Sequence, residues 1–270
     1  MKKDTESTEK AEKKKGWTPA SQRAQDTSSK YAPDYEQIAA APQRVVLASG
    51  ALQKRGKTTF GFTMPKPLAY MQLDANYEHA LAKARKQFKA KDAIRHLKYF
   101  ADPRGDIRAA NAAVFDRLIK DFDYCVDNFR SVFVDTTSEL MDVRKIAEWG
   151  RTTQIPQIYY GSIYADFRWM VKRALDSNCN VCFVHRLKDE WQAGDRTGGY
   201  VLEGWRGILF DSQVYVEHSR TPEGDFITTI VECSQDALLM GMTLSGKDEE
   251  NDFPTLATRI FPDSETKDWV

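Results

Sequence analysis

The sequence predicts an α/β protein with a mainly parallel central sheet flanked by helices and an antiparallel β extension toward the C-terminus. Three observations lead there. Short apolar runs recur at residues 45–48, 68–73, 131–134 and 180–184, with helix-like stretches between them, as in parallel strands buried on both faces. Three of these runs end on a polar group, at Asp74, Asp135 and His185, and parallel strands deliver such groups to one common edge. The first run is followed by a loop rich in Gly, Lys and Thr.

That loop, residues 50–59, reads Gly-Ala-Leu-Gln-Lys-Arg-Gly-Lys-Thr-Thr. It lies between a strand-like run and the apolar pair Phe60 and Phe62, a strand–loop–helix layout. Gly56, Lys57 and Thr58 form the tail of a P-loop, in which inward-pointing backbone N–H groups cradle phosphate oxygens and a following helix adds its positive end. The candidate phosphate-binding set is Ala51, Leu52, Gln53, Lys54, Arg55, Gly56, Lys57, Thr58 and Thr59. Lys57 is placed to reach the β- and γ-phosphates, and Thr58 to hold Mg²⁺ through its hydroxyl. The full pattern wants Gly six residues before Lys57, where this chain has Ala51. Ala fits there only with a negative φ or with some strain.

The 270 residues suffice for one α/β domain of about 200 residues with tails. The expected division is a charged disordered tail at 1–30, a core at 31–240 and an acidic tail at 241–270. Apolar residues make up 41% and charged residues 29%, typical of a globular protein. The 39 basic and 39 acidic residues cancel, so any attraction to nucleic acid must come from a local patch. No apolar run has the length of a membrane span and the N-terminus is charged, so a cytosolic protein is expected. Cys179 and Cys182 form a lone CxxC with His185 three residues on. A zinc site needs four ligands, and Cys182 and His185 fall on opposite faces of the apparent strand. Buried free thiols are the expectation.

The remaining elements follow in order. Pro65 and Pro67 end the helix after the loop, and the strand at 68–74 closes on Asp74. Asn76 is a candidate cap for a helix running to about Phe88. The stretch 83–98 is strongly basic, with Lys83, Arg85, Lys86, Lys89, Lys91, Arg95 and Lys98 against Asp92. It reads as a solvated face or as a local anion or DNA contact. A third strand is expected at 94–100. Ala110, Val114, Leu118 and Phe122 make one stripe of a helix at 107–128. The run 131–135, Ser-Val-Phe-Val-Asp, has Walker B geometry, its carboxylate positioning Mg²⁺ through water. Helices are expected at 140–149 and 161–177. A strand at 180–185 ends on His185, followed by a loop at 194–199. Strands come next at 200–202, 214–218 and 226–231, the last two joined by a turn at 221–225.

This order of P-loop, strand ending in Asp74, Val-Phe-Val-Asp135, strand ending in His185 and Arg186, and terminal hairpin resembles the RecA-like core ATPases of bacteriophages. Among these it is most similar to the core-only recombination ATPases of the Sak type, over about residues 43–235. The resemblance implies ATP and Mg²⁺ as ligands. It implies roles for Lys57 and Thr58 at phosphate and metal, and for Asp135 as the Walker B acid. It implies a water-orienting carboxylate at Asp74 or Glu78, with Glu139 competing, and a sensor role for His185. Arg186 or Arg206 would serve as a finger in a neighbouring subunit. Single-stranded DNA, a single-strand-binding protein and further copies of the chain are the implied partners. The alternative is a nucleotide-gated module that hydrolyses weakly and recruits a protein through its tails.

Overall fold

A computed structural model describes residues 43–75, 77–88, 93–246 and 250–270. The tail expected at 1–30, the cap Asn76, and Lys89 and Lys91 of the basic stretch lie outside the described residues. The strands are β1 (Val46–Ala51), β2 (Leu68–Gln72), β3 (Ile94–Lys98), β4 (Ser131–Asp135), β5 (Asn180–Gln192), β6 (Asp195–Leu202), β7 (Val214–Arg220), β8 (Phe226–Cys233) and β9 (Thr243–Leu244). The helices are α1 (Lys57–Gly61), α2 (Glu78–Phe88), α3 (Ile107–Asn128), α4 (Thr137–Trp149), α5 (Gly161–Leu175), α6 (Ile208–Asp211) and α7 (Phe253–Ile260).

One sheet runs in the order β3-β2-β4-β5-β1-β7-β8-β9, with β6 paired to β5. The pairings from β3 through β7 are parallel, whereas β7–β8, β8–β9 and β5–β6 are antiparallel. This is the mainly parallel sheet with a C-terminal antiparallel extension that the sequence predicts.

β1, β2 and β4 are buried along their whole lengths. They read as unbroken apolar runs because helices cover both faces of the sheet. Val46, Ala48, Met71, Val132, Val134 and Phe183 meet Leu118 and Phe122 of α3, Leu140 of α4 and Phe167 of α5. On the opposite face, Leu47, Tyr70, Phe133, Cys182 and Val184 meet Phe60 of α1, Leu81 of α2 and Phe253 of α7. α3 and α4 start where polar side chains satisfy their first N–H groups. The Asp106 carboxylate accepts from the N–H of Arg108 and Ala109, and Thr136 Oγ1 from that of Glu139. Gly61 lets α1 lie close on the sheet, since a Cβ there would come within 2.3 Å of the Phe133 ring.

Two expectations are corrected. Residues 241–270 are not a separate tail, because the described residues from 43 to 270 form one compact unit. Asp252 caps α7 by accepting from the Thr255 N–H. Phe253, Leu256, Ala257 and Ile260 are buried, as is Trp269 further on. The strand expected to end at His185 instead continues to Gln192 and turns back as β6, so the loop expected at 194–199 is largely strand. Among the described residues no helix is long and apolar enough to cross a membrane. Cys179 and Cys182 are buried free thiols in opposite cores.

Candidate functional site

β1 carries the chain to the C-terminal edge of the sheet and stops at Ala51. Ala51 is the last residue of a buried strand and is not among the residues with positive φ. Its methyl is therefore unstrained where the pattern wants glycine. The tight turning falls later, on Lys54 at φ 58° and Gly56 at φ 97°. At Gly56 a side chain would be strained, and its Cβ would sit 2.9 Å from Phe226 Cδ1. Lys57 Nζ donates to the carbonyls of Ala51 and Leu52, both at 3.0 Å, which folds the ammonium into the cup of the loop. α1 has only five residues, so its dipole is small, and loop N–H groups and Lys57 dominate the local field.

A cleft of about 460 Å³ opens over this loop, floored by residues 53–59 and walled by Asp74, Asp135 and Arg186 on one side and Arg220 and Phe226 on the other. The three sheet-borne groups arrive by alternation. Successive strand residues point to opposite faces, and Asp74, Asp135 and Arg186 all fall on the face that carries α1.

Asp135 is 2% exposed. Its Oδ2 accepts from Thr58 Oγ1 at 2.9 Å and from the Tyr70 hydroxyl at 3.3 Å. Burial pushes this carboxyl up to about 6, as does nearby Asp74, against the opposing pull of the Thr58 bond and Lys57. Burial in turn lowers the Lys57 pKa, countered by Asp135 and Asp74. Tyr70 stacks between Phe133 at 5.4 Å and His96 at 5.2 Å, so its hydroxyl has little freedom to leave Asp135.

Arg186 lies within its own chain's cleft. Its guanidinium bonds Asp74 Oδ2 at 3.3 Å and pairs with Glu139, and the backbone N–H of Arg186 donates to Ser138 Oγ at 3.0 Å. The guanidinium thus holds two of the three candidate carboxylates.

The remaining expected site residues lie apart from the cleft. His185 is one residue out of phase, so it points to the face carrying α4 and is fully buried, with Nδ1 3.3 Å from the Glu203 carbonyl. Burial pushes it down to about 4, and it is absent from the cleft wall. The group that β5 delivers to the cleft is Arg186. Glu78 begins α2 exposed to solvent, while its neighbours His79 and Ala80 line the cleft. Arg206 is exposed after the buried Trp205, also away from the cleft. Lys83, Arg85, Lys86, Arg95 and Lys98 of the basic stretch are exposed.

Sequence reasoning missed Tyr70, Arg220 and Phe226. Tyr70 shares the alternation that gives Asp74 and was open to that argument. Arg220 and Phe226 reach the loop only through the β7–β8 hairpin, and nothing local marks them.

Among the described residues no group of three His, Cys, Asp or Glu side chains could hold a metal ion. Mg²⁺ in phosphate sites takes only one or two protein groups, with water and phosphate completing its shell. The adjoining Thr58 hydroxyl and Asp135 carboxylate suit that mode. No protein-family model matches this chain, and no curated protein matches it.

Proposed function

We propose that this chain is a cytoplasmic, Mg²⁺-dependent, RecA-like P-loop ATPase that acts on single-stranded DNA in phage recombination, replication or repair. The observation that carries the reading is the convergence of Lys57, Thr58 and Asp135 in one cleft, with Thr58 2.9 Å from Asp135. Loop N–H groups and Lys57 bind the phosphates. Thr58 and Asp135 would hold Mg²⁺, which supplies charge neutralisation at the phosphoryl oxygens. Asp74 is the cleft carboxylate that orients the attacking water, in preference to exposed Glu78. Arg186 provides positive charge from within the same subunit, and exposed Arg206 could do so for a neighbouring copy.

The DNA half of the proposal rests on the exposed cations of α2 and β3 and on Trp191 and Tyr200. These two aromatics are 65% and 44% exposed on the β5–β6 ribbon, where bases can stack. A single-strand-binding protein and a homo-oligomer are the partners proposed with it.

The test is Mg²⁺-dependent ATP hydrolysis by wild type and Lys57→Ala, with and without single-stranded DNA. DNA-stimulated turnover that Lys57→Ala abolishes supports the proposal. Nucleotide binding with negligible turnover, indifferent to DNA, replaces it with a nucleotide-gated binding module.

A further inference from the structure

A second cleft, of about 260 Å³, lies on the far side of Phe226 and shares Arg55, Gly56, Thr59 and Phe226 with the phosphate cleft. We propose that it receives the nucleoside end of the bound nucleotide, with Phe226 as the stacking wall and Asn251 as a residue that reads the ligand. This inference rests on the phosphate-binding role proposed for the first cleft.

The two clefts differ in chemistry. The first gathers Lys57, Arg186 and Arg220. The second has only the shared Arg55 as a cation, and adds Phe60, Asp225 and Asn251. One ligand spanning both must be polyanionic at one end and flat, uncharged and hydrogen-bonding at the other. A nucleoside triphosphate has that form; inorganic polyphosphate does not. Phe226 is 38% exposed, and the Arg220 guanidinium lies 5.4 Å from its ring centroid. That leaves an aromatic face at the boundary between the clefts.

Asn251 is held by a chain of hydrogen bonds that begins beside the phosphate loop. Ser49 Oγ lies 2.8 Å from His218 Nε2, and His218 Nδ1 lies 2.9 Å from Thr228 Oγ1. The Thr228 hydroxyl donates to Asn251 Oδ1 at 2.5 Å, and Asn251 Nδ2 donates to the Phe226 carbonyl at 2.8 Å. These bonds fit together in one direction. With its proton committed to Asn251, the Thr228 oxygen accepts from His218 Nδ1–H. That leaves Nε2 to accept from Ser49. Burial, with Lys57 adding to it, pushes His218 down to about 3 and keeps it in this neutral form. The Asn251 amide is therefore fixed in orientation at the cleft wall, and the same chain ties it to β1, from which the phosphate loop departs. Thr228 and His218 are positioning residues that act through Asn251.

The experiment is equilibrium binding of ATP and of inorganic triphosphate, both with Mg²⁺, to wild type, Phe226→Ala, Asn251→Ala and Thr228→Val. Wild type should prefer ATP. Phe226→Ala and Asn251→Ala should each weaken ATP binding at least about fivefold, the scale of a lost stacking partner. Thr228→Val should weaken it in the same direction. Asn251→Ala and Thr228→Val should bind triphosphate within about twofold of wild type, which also shows that they fold, and Phe226→Ala, which also removes a wall of the phosphate cleft, should lose more affinity for ATP than for triphosphate. If wild type binds triphosphate as tightly as ATP, or the variants weaken both ligands equally, the nucleoside cleft is refuted while the phosphate site stands. If wild type binds neither ligand, the phosphate site falls and takes this inference with it.

Discussion

Replacing Asp135 by Asn should make the protein more stable and, under the proposed function, should abolish Mg²⁺-dependent turnover. The carboxyl is 2% exposed and its pKa is raised from 3.8 to about 6. Folding thus raises its proton affinity, and the ionised form works against the folded state. A shift of about two pH units is worth on the order of 3 kcal/mol. The penalty is complete above about pH 6 and fades as pH falls toward 3.8. An Asn oxygen can still accept from Thr58 and Tyr70, so removing the charge relieves the penalty without orphaning either hydroxyl. For a domain of this size the gain corresponds to roughly 6–12 °C in Tm. The assay is thermal unfolding of wild type and Asp135→Asn in chelator, at pH 8 and again near pH 4. The variant should melt higher at pH 8, and the two should converge at pH 4. A Tm equal to or below wild type at pH 8, or a gain that is the same at both pH values, would refute the reasoning.

Two other outcomes follow from buried groups. His185 and His218 are neutral in the fold, pushed down to about 4 and about 3, whereas the unfolded chain protonates near 6.5. Their contribution is therefore present above pH 6.5 and is lost as pH falls toward their folded values. By pH 5 each should have cost about 2 kcal/mol. Urea titration at pH 7 and pH 5 in the Asp135→Asn background, which removes the opposing carboxyl, reads these two together with His96, which burial also pushes down to about 4; a loss below about 1 kcal/mol contradicts the reasoning. Trp269 is 3% exposed, stacks on Phe261 at 5.5 Å and donates Nε1–H to Ser264 Oγ at 2.8 Å. Trp269→Ala should cost about 3–5 kcal/mol by denaturant unfolding, and a change under about 1 kcal/mol would show that the C-terminus is dispensable to the core.

The sheet was legible because strands buried on both faces leave an unmistakable trace: β1, β2, β4 and the first half of β5 are continuous apolar runs, and two of them end on carboxylates that do meet at the cleft. The strand–loop–helix turn at 50–59 was legible from Gly56, Lys57 and Thr58, which follow an apolar run and precede Phe60 and Phe62. His185 was misplaced because the apolar run ends there and the strand does not. β5 continues through polar residues by pairing with β6, and a shift of one residue moves a side chain to the other face. Arg186, one position on, takes the place expected for His185. The C-terminal segment was misread on composition. Its acidic stretch hid the spacing of Phe253, Leu256, Ala257 and Ile260, which is i, i+3, i+4, i+7 after an Asp cap, a helix signature available in the sequence. Phe226 and Arg220 were beyond reach, since their place beside Gly56 depends on a hairpin more than 160 residues downstream.

The strand order has a consequence for the birth of the protein. β1 sits between β5 and β7, and hydrogen bonds from Val45, Val46 and Ser49 reach forward 135 residues to Asn180, 167 to Gln213 and 169 to His218. A ribosome adding about 5–20 residues per second needs roughly ten to thirty seconds to cover that distance. Through that interval the Val-Val-Leu-Ala segment has neither of its sheet neighbours, an apolar strand open to chaperones and to strands of other nascent chains. The loop at 50–59 acquires its Arg220 and Phe226 wall only after residue 226 has been made, about 170 residues after the loop itself.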